Sequence, residues 1–303
     1  MPYAQGVNQN TYIKLEGVGG TLDPAVAWIP LRLINNGLTQ SVEELESDEM
    51  LPGRHMAESR SGVSSVTGDL EAELTYGTFD MLLEAAFHGT WTANVLKTGS
   101  TRRKFAILKH NQDIGRWLIY RGCEVGTVAI DCPLQGKIGV TFSIIGTKEE
   151  AYVFNGVTES IADPTDTVMM TTFEGSLFEG GTGLNHATAL SVTLENGMEA
   201  IYRLFSRDAY DIKLGRINVN GSLSAYIEDD RLKAKYLGET KTPLVVTLTD
   251  GDNSYEISMT QAKLTTSSEE GSGDDPIIQS YDYRAFNDPA VSTEITITRI
   301  PAP

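Results

Sequence analysis

The sequence predicts an all-β dominated protein with minor α-helix, organised as two tandem β-rich units that each contain one short helix. Three observations predict it: apolar and polar residues alternate with period two, only two segments have helical periodicity, and one strand–helix pattern occurs twice. The 303 residues match the length of two ordinary domains.

Alternation is clearest in Val66–Leu74, where apolar side chains occupy every second position and Asp69, Glu71 and Glu73 occupy the others. Such a strand has one buried face and one acidic, solvated face. Further strands with the same pattern are predicted at Ile138–Ile144, Leu190–Leu194, Leu244–Leu248, Tyr255–Met259 and Ile295–Ile297. Turn residues separate the runs at Asn35-Asn36-Gly37, Asn196-Gly197 and Asp250-Gly251, and they predict a hairpin from Pro243 to Leu264.

Two segments have helical spacing. An apolar stripe runs from Phe79 to Phe87 and stops before Gly89. The second begins at Asp229-Asp230 and stops before Gly238, so that acids stand at its start and lysines further on, as the helix dipole favours.

An internal repeat follows from a shift of 153 residues. The shift places Val66, Gly68, Leu70 and Ala72 on Val219, Gly221, Leu223 and Ala225, and each strand is followed by its helix at the same distance. We therefore expect a duplicated β-rich unit, with a first copy over 1–160 and a second over 161–303. The first copy contains a long charged loop, Glu43–Gly62.

The charge balance excludes one class of function. A formal net charge of −17 disfavours nucleic-acid binding, which depends on basic residues that neutralise phosphate groups. The halves differ, with net −5 over 1–150 and −12 over 151–303. No apolar stretch has the 18 or so residues of a membrane helix, and the first residues lack a signal-peptide pattern, so a soluble protein is expected. Cys123 and Cys132 are expected to be reduced and, on an unbroken strand, to point to opposite faces.

The sequence contains no recognisable motif or residue spacing of a catalytic site. The four histidines lack zinc-ligand spacing, there is no Gly-x-Ser-x-Gly motif, and the glycine-rich segments lack the Lys-Ser/Thr of a phosphate loop. The basic cluster Lys97–Lys104 lacks interleaved aromatics, so a solvated hairpin or an intersubunit ion-pair surface is expected there. The sequence thus predicts no enzyme, no cofactor and no metal site.

Motifs along nearly the whole chain resemble the tail tube proteins of long-tailed, siphovirus-like bacteriophages. They occur in order at Gly6–Gln9, Val66–Leu70, Leu74–Asp80, Leu83–Ala86, Gly89–Trp91, Val95–Phe105, Tyr120–Gly122, Phe142–Gly146, Phe173–Ser176 and Leu194–Gly197. Singly they are turns and strand edges; their order makes them specific.

This resemblance implies a double tube fold of two tandem β-sandwich copies, each with one short flanking helix. Both copies would contribute strands to a shared inner barrel. Three chains of two copies would close a ring that imitates a hexamer, and stacked rings would form the tube through which the genome is ejected. Implied partners are other copies of the chain and the tape-measure, tail-tip and tail-terminator proteins, with double-stranded DNA passing without specific binding. The location would be the virion tail, after synthesis in the bacterial cytoplasm.

The resemblance also assigns candidate residues. Carried onto this chain, the Glu43–Gly62 loop contacts the adjacent ring, and its candidate ring-stacking residues are Asp48, Glu49, Arg54 and Arg60. With Val66–Leu74 and Val219–Ile227 as inner strands, the candidate lumen-facing residues are Asp69, Glu71, Glu73, Ser222, Ser224 and Glu228. The alternative is that these acids lie on the outer surface.

Two other functions are open at this point. A carbohydrate-binding or receptor-binding β-sandwich of the tail would need clustered exposed aromatics, whereas Trp28, Trp91 and Trp117 are spread along the chain. A tube protein of another injection machine would share the ring but not the phage.

Overall fold

The computed structural model describes residues 3–49, 55, 58–271 and 273–302. The elements of the first half are β1 (Gln9–Leu15), β2 (Ile29–Leu31), β3 (Asn35–Asn36), β4 (Thr39–Glu46), β5 (Ser59–Glu73), α1 (Asp80–Phe87), β6 (Val95–Lys97), β7 (Phe105–Asn111), β8 (Arg116–Cys132), β9 (Gly139–Gly146) and β10 (Lys148–Tyr152). Those of the second half are β11 (Gly175–Glu179), β12 (Thr182–Gly183), β13 (Ala187–Glu195), β14 (Glu199–Ile201), β15 (Asp211–Lys213), β16 (Asn218–Tyr226), α2 (Arg231–Leu237), β17 (Lys241–Thr249), β18 (Ser254–Leu264), β19 (Ser268–Glu270), β20 (Ile278–Ala285) and β21 (Thr296–Ile300). The prediction of a β-dominated fold with two short helices is confirmed.

The predicted alternation is reproduced in the strands. In β9, Val140, Phe142 and Ile144 are buried while Thr141 and Ser143 are half-buried. The predicted hairpin is formed by β17 and β18, which pair from Lys241↔Lys263 to Thr249↔Ser254. Period-two patterning identified these strands because each has one face against the core and one towards water.

Six long strands form one continuous antiparallel sheet in the order β5–β9–β8–β13–β16–β20. The first and second halves of the chain meet inside this sheet, where Thr127–Cys132 of β8 pair with Leu190–Glu195 of β13. Backbone hydrogen bonds therefore join the two halves edge to edge, and a single hydrophobic cluster extends from Ile13 to Ile297 beneath the sheet.

Strand β8 contains a β-bulge that sequence alternation does not reveal. Its register to β9 shifts between Val125 and Thr127. A bulge adds one residue to one strand and so reverses the later alternation. Cys123 and Cys132 consequently both pack on the hydrophobic core, instead of pointing to opposite faces as on an unbroken strand, and both are free thiols.

The pairing pattern of the first half recurs in the second. Strand β5 pairs with β9 through Val66↔Gly146, and β16 pairs with β20 through Val219↔Ala285. Likewise, the Asn36↔Leu70 pairing joins β3 to β5 in the first half, and the Leu190↔Leu223 pairing joins β13 to β16 at the equivalent position of the second half. Farther from the sheet, Glu46↔Ser59 and Ala200↔Ile212 are paired in hairpins at matching positions.

Both predicted helices are present, but they differ in burial. Helix α1 buries Leu82, Leu83, Ala85, Ala86 and Phe87, whereas α2 buries only Leu232. The first residue of α1, Asp80, accepts hydrogen bonds of 2.6 Å from Tyr255 Oη and from Arg299 Nη1. Helix α1 thereby connects the first half to β18 and β21.

Three boundaries differ from the sequence predictions. The predicted Glu43–Gly62 loop has strand at both ends, because β4 extends to Glu46 and β5 begins at Ser59. Most side chains of this hairpin arm are exposed, so the amphipathic signal of a half-buried strand is missing. Asn35–Asn36, predicted as a turn, forms β3, and the strand predicted as Val219–Ile227 ends at Tyr226.

Candidate functional site

The six-stranded sheet presents one face that consists mostly of small and polar side chains. Cross-strand registers align this face in rows. One row is Glu71, Thr141, Ala129, Thr193, Asn220 and Arg284, and the next is Glu73, Gly139, Asp131, Ser191, Ser222 and Asp282. The opposite face carries the core residues of the same strands, among them Leu70, Phe142 and Val128.

Five of the six candidate lumen residues share this polar face. Asp69, Glu71 and Glu73 project from β5, and Ser222 and Ser224 project from β16, four strands further along the sheet. The sequence predictions thus fall on one surface. Glu228 is separate: it lies beyond the end of β16 at Tyr226 and its carboxylate is 3.1 Å from His186 Nδ1.

Hydroxyl groups on this face bond to neighbouring strands. Ser143 donates to Asp69 at 2.6 Å, and the hydroxyl pairs Ser191–Ser222 and Ser224–Ser280 are each 2.8 Å apart. These hydroxyls therefore bond within the sheet and are less available to a phosphate group.

The polar face carries more acidic side chains than the sequence analysis predicted. Asp131, Glu195 and Asp282 project from β8, β13 and β20 on the same side. Arg284 of β20 is a base on this face, and Lys137 forms an ion pair of 2.5 Å with Glu73. The alternation of β20 could have identified Asp282. Asp131 was harder to find because the β8 bulge changes which residues share a face.

The candidate ring-stacking residues lie on the β4–β5 hairpin arm or beside it. Asp48 and Glu49 are exposed just after β4, and Arg60 is exposed in β5 opposite Leu45. Arg54 lies outside the described residues. Among the described residues, none forms an ion pair with Asp48, Glu49 or Arg60.

The basic segment Lys97–Lys104 forms ion pairs inside the chain. Arg102 is 2.6 Å from the fully buried carboxylate of Glu124 and 3.1 Å from Asp211, and Lys104 is 2.7 Å from Asp211. Partial burial alone would raise the pKa of Asp211, but hydrogen bonds from Lys104, the Ile212 backbone and Arg102 outweigh it and hold this pKa well below its ordinary value. The cluster therefore ties β15 of the second half to the first half.

The run of six strands is extended by one outermost strand at each end, β4 beyond β5 and β19 beyond β20. Among the described strands, β4 pairs only with β5 and β19 pairs only with β20. They lie at opposite ends of the run β4–β5–β9–β8–β13–β16–β20–β19. Elsewhere in the sheet, β2, β6, β10 and β12 also pair with one described strand each. Unpaired backbone N–H and C=O groups on such edges are templates for another strand.

No arrangement for metal chemistry is present in the described ranges: nowhere do three or more His, Cys, Asp or Glu side chains converge as ligands. Neither α1 nor α2, the helices of the described chain, has the length and apolarity needed to cross a bilayer.

Comparison with known protein families assigns the chain to a family. The family described as phage tail tube protein matches residues 6–285, nearly the whole chain. No individually curated protein matches. A match of that extent covers the sheet, both helices and the hairpin arm, and the chain therefore belongs to the phage tail tube protein family.

Proposed function

We propose that this chain polymerises into stacked rings that form the wall of a phage tail tube, the conduit for DNA ejection. The observation that carries the proposal is the six-stranded sheet with a polar, acidic face and a free edge at each end. A sheet of this kind can be continued by further copies until it closes, and closure removes its exposed edges.

The recurrent pairings support a duplicated tube fold, with copies at 1–160 and 161–303. Equivalent registers join β5 to β9 and β16 to β20, and each first strand is followed by a short helix. Three chains would supply six copies, so the ring is a trimer with pseudo-hexameric symmetry. Its inner barrel is built from both copies of every chain.

The polar face is the proposed lumen surface. Asp69, Glu71 and Glu73 would line the channel on one copy, with Ser222 and Ser224 on the other, and Glu228 would lie near its rim. Carboxylates repel phosphates within a Debye length of about 8 Å at physiological salt. A wall that does not hold DNA lets it slide.

The hairpin arm is the proposed ring-stacking element. Its exposed charged residues Asp48, Glu49 and Arg60 have no ion-pair partner among the described residues, so they are suited to ion pairs with the adjacent ring. Arg54 is a candidate for the same contact because of its positive charge. The tape-measure protein would occupy the lumen before ejection, and the tail-tip and tail-terminator proteins would contact the ends of the tube. The role is structural and not enzymatic.

Negative-stain microscopy and solution mass measurement of the purified protein test the assembly. We expect rings or tubes with a central channel, and a trimer or a multiple of it in solution. Because tube subunits can await an initiator, the measurement is repeated with added tail-tip complex. A protein that stays monomeric at high concentration in both conditions contradicts the proposal.

Charge reversal tests the lumen assignment. The Glu71→Lys/Glu73→Lys variant should still form tubes, yet phage carrying it should eject DNA at least about tenfold more slowly because lysines bind phosphates. The Glu174→Lys/Asp252→Lys variant changes the charge equally at exposed acids outside the polar face and should eject normally. Normal ejection by the first variant would rule out Glu71 and Glu73 as lumen residues.

A further inference from the structure

The contact between the two halves of the chain has two parts. In the sheet, β8 and β13 pair through Ala129↔Thr193 and its neighbours. Below it, Asp211 at the start of β15 binds Lys104 and Arg102. This contact is a strand pairing reinforced by an ion pair, and we call it the internal junction.

The second half ends in a copy of the β8 side of this junction. Glu269 of β19 pairs with Gln279 of β20, as Ile130 of β8 pairs with Val140 of β9. In both places the register shifts by one residue before this pairing. The shift relative to β9 lies between Val125 and Thr127 of β8, and the shift relative to β20 lies between Leu264 of β18 and Ser268 of β19. Strand β19 thus holds the position of the β8 segment that binds β13, but its outer edge is free.

The first half begins with a copy of the β13 side. Strands β3 and β4 lie against β5 as β13 lies against β16, and the matched residues Leu38 and Val192 are both buried. Among the described strands, none pairs with the outer edge of β4, where β13 has β8. Just before β4, the Leu38 N–H donates to Asn36 Oδ1 and the Leu38 C=O accepts from Tyr120 Oη, so these two bonds have to be exchanged when a strand pairs there. One chain therefore carries both unoccupied halves of a second junction, which it cannot form with itself.

We propose that β4 of one chain pairs antiparallel with the Thr266–Glu270 edge of the next chain, in the register of the internal junction. This inference rests on the proposed ring and specifies its interface. Transfer of the β8–β13 register places Thr39 opposite Ser268, Leu38 opposite Glu269 and Gln40 opposite Ser267.

A polar mismatch at the free edge supports this register. Among the described residues, neither the buried Ser267 hydroxyl nor the neighbouring Tyr281 hydroxyl has a hydrogen-bond partner. The internal junction has Val128 and Leu194 at the matching positions, whereas the junction between chains has Ser267 and Gln40. The amide of Gln40 can both donate and accept, so it supplies the partner that Ser267 lacks.

The ion pair of the internal junction also has a counterpart. In the correspondence between the two halves, Glu58, which precedes β5, takes the place of Asp211, which precedes Ile212. Lys241 at the start of the β17–β18 hairpin takes the place of Lys104, which precedes the β7–β8 hairpin. Lys241 is exposed and has no ion-pair partner among the described residues. Glu58 of one chain therefore meets Lys241 of the next, and opposite charges favour this contact.

Engineered disulfides test the register. The Thr39→Cys/Ser268→Cys variant should form covalent trimers under mild oxidation with oxidised glutathione, because directly opposed strand residues lie within disulfide range. The shifted control, Thr39→Cys/Glu270→Cys, places the thiols on diagonal positions about 7–8 Å apart and should cross-link poorly. The unmodified chain gives the background from Cys123 and Cys132.

Microscopy of the same samples separates this proposal from the ring itself. Rings with efficient cross-linking of only the directly opposed pair support the register. Rings in which the shifted pair cross-links, or neither pair does, overturn the register but leave the tube intact. Absence of rings in the unmodified chain, both alone and with added tail-tip complex, overturns both.

Charge exchange tests the ion pair. Glu58→Lys and Lys241→Glu should each raise the concentration needed for assembly by about two- to fivefold, as expected for a partly exposed pair. The double variant should return within about twofold of the unmodified chain. Additive losses in the double variant would show that the two residues do not meet.

Discussion

At the scale of single residues, the two repeat glycines have a physical reason to be glycine. A Cβ on Gly221 would lie 2.0 Å from the Ser191 carbonyl oxygen, and one on Gly68 would lie 2.4 Å from the Gly37 carbonyl oxygen. In both halves the backbone of the preceding paired strand approaches the glycine closely. The recurrence of glycine in the sequence repeat thus reflects the same close packing of two backbones.

The Gly221→Ala variant should lower the free energy of unfolding by about 1–3 kcal/mol, because the added methyl group has to displace backbone atoms. Urea denaturation measures this loss. The control is Gly139→Ala, also in a strand, where a Cβ meets nothing within 4 Å and the change should stay within about 0.5 kcal/mol. Equal stability of the two variants would contradict the packing argument.

At the scale of elements, the sequence predicted the strands that have one wet and one buried face. Strand β9 and the β17–β18 hairpin were found in this way, and helix α1 was found from its apolar stripe. The arm formed by β4 and the start of β5 was predicted as loop because most of its residues are exposed. Local alternation cannot reveal a strand whose burial, if any, comes from another chain.

The candidate site was predictable only where strand alternation is unbroken. Asp69, Glu71 and Glu73 were found together, and the structure adds Asp131 through a register that includes the β8 bulge. Glu228 was included because the alternation was continued past Tyr226, where β16 ends. Pairings between distant strands decide which residues share a surface, and one sequence does not contain them explicitly.

Hairpin β14–β15 should lose its electrostatic attachment in the Asp211→Asn variant. Since the folded-state pKa of Asp211 lies below its unfolded value, its contribution is present above about pH 4 and disappears as the pH falls through the folded pKa. We expect a loss of about 1 kcal/mol at pH 7, a modest value because the pair is partly exposed, that shrinks towards zero in acid.

Urea denaturation of this variant and the unmodified chain between pH 7 and about pH 2.5 measures the difference. Asp252→Asn, an exposed acid whose carboxylate forms no ion pair with described residues, is the control and should differ little at any pH. A deficit in Asp211→Asn that stays constant down to low pH would mean that the carboxylate charge is not its cause.

At the scale of the whole molecule, the net charge of −17 acts against assembly as well as against DNA binding. In the proposed ring, closure would bring the acids of the polar face towards those of neighbouring chains. Local attraction between Glu58 and Lys241 offsets only part of this repulsion. The interface therefore has to gain its stability from strand pairing, which salt affects little.

Tube assembly should accordingly accelerate with ionic strength. Raising salt from about 0.01 M to about 0.15 M shortens the Debye length from about 30 Å to about 8 Å and should speed assembly by roughly tenfold or more, followed by light scattering. The Asp69→Asn/Glu71→Gln variant removes two of the face charges and should show a smaller salt effect. Assembly that slows with salt, or an unchanged slope in that variant, would place the governing charges elsewhere than on the polar face.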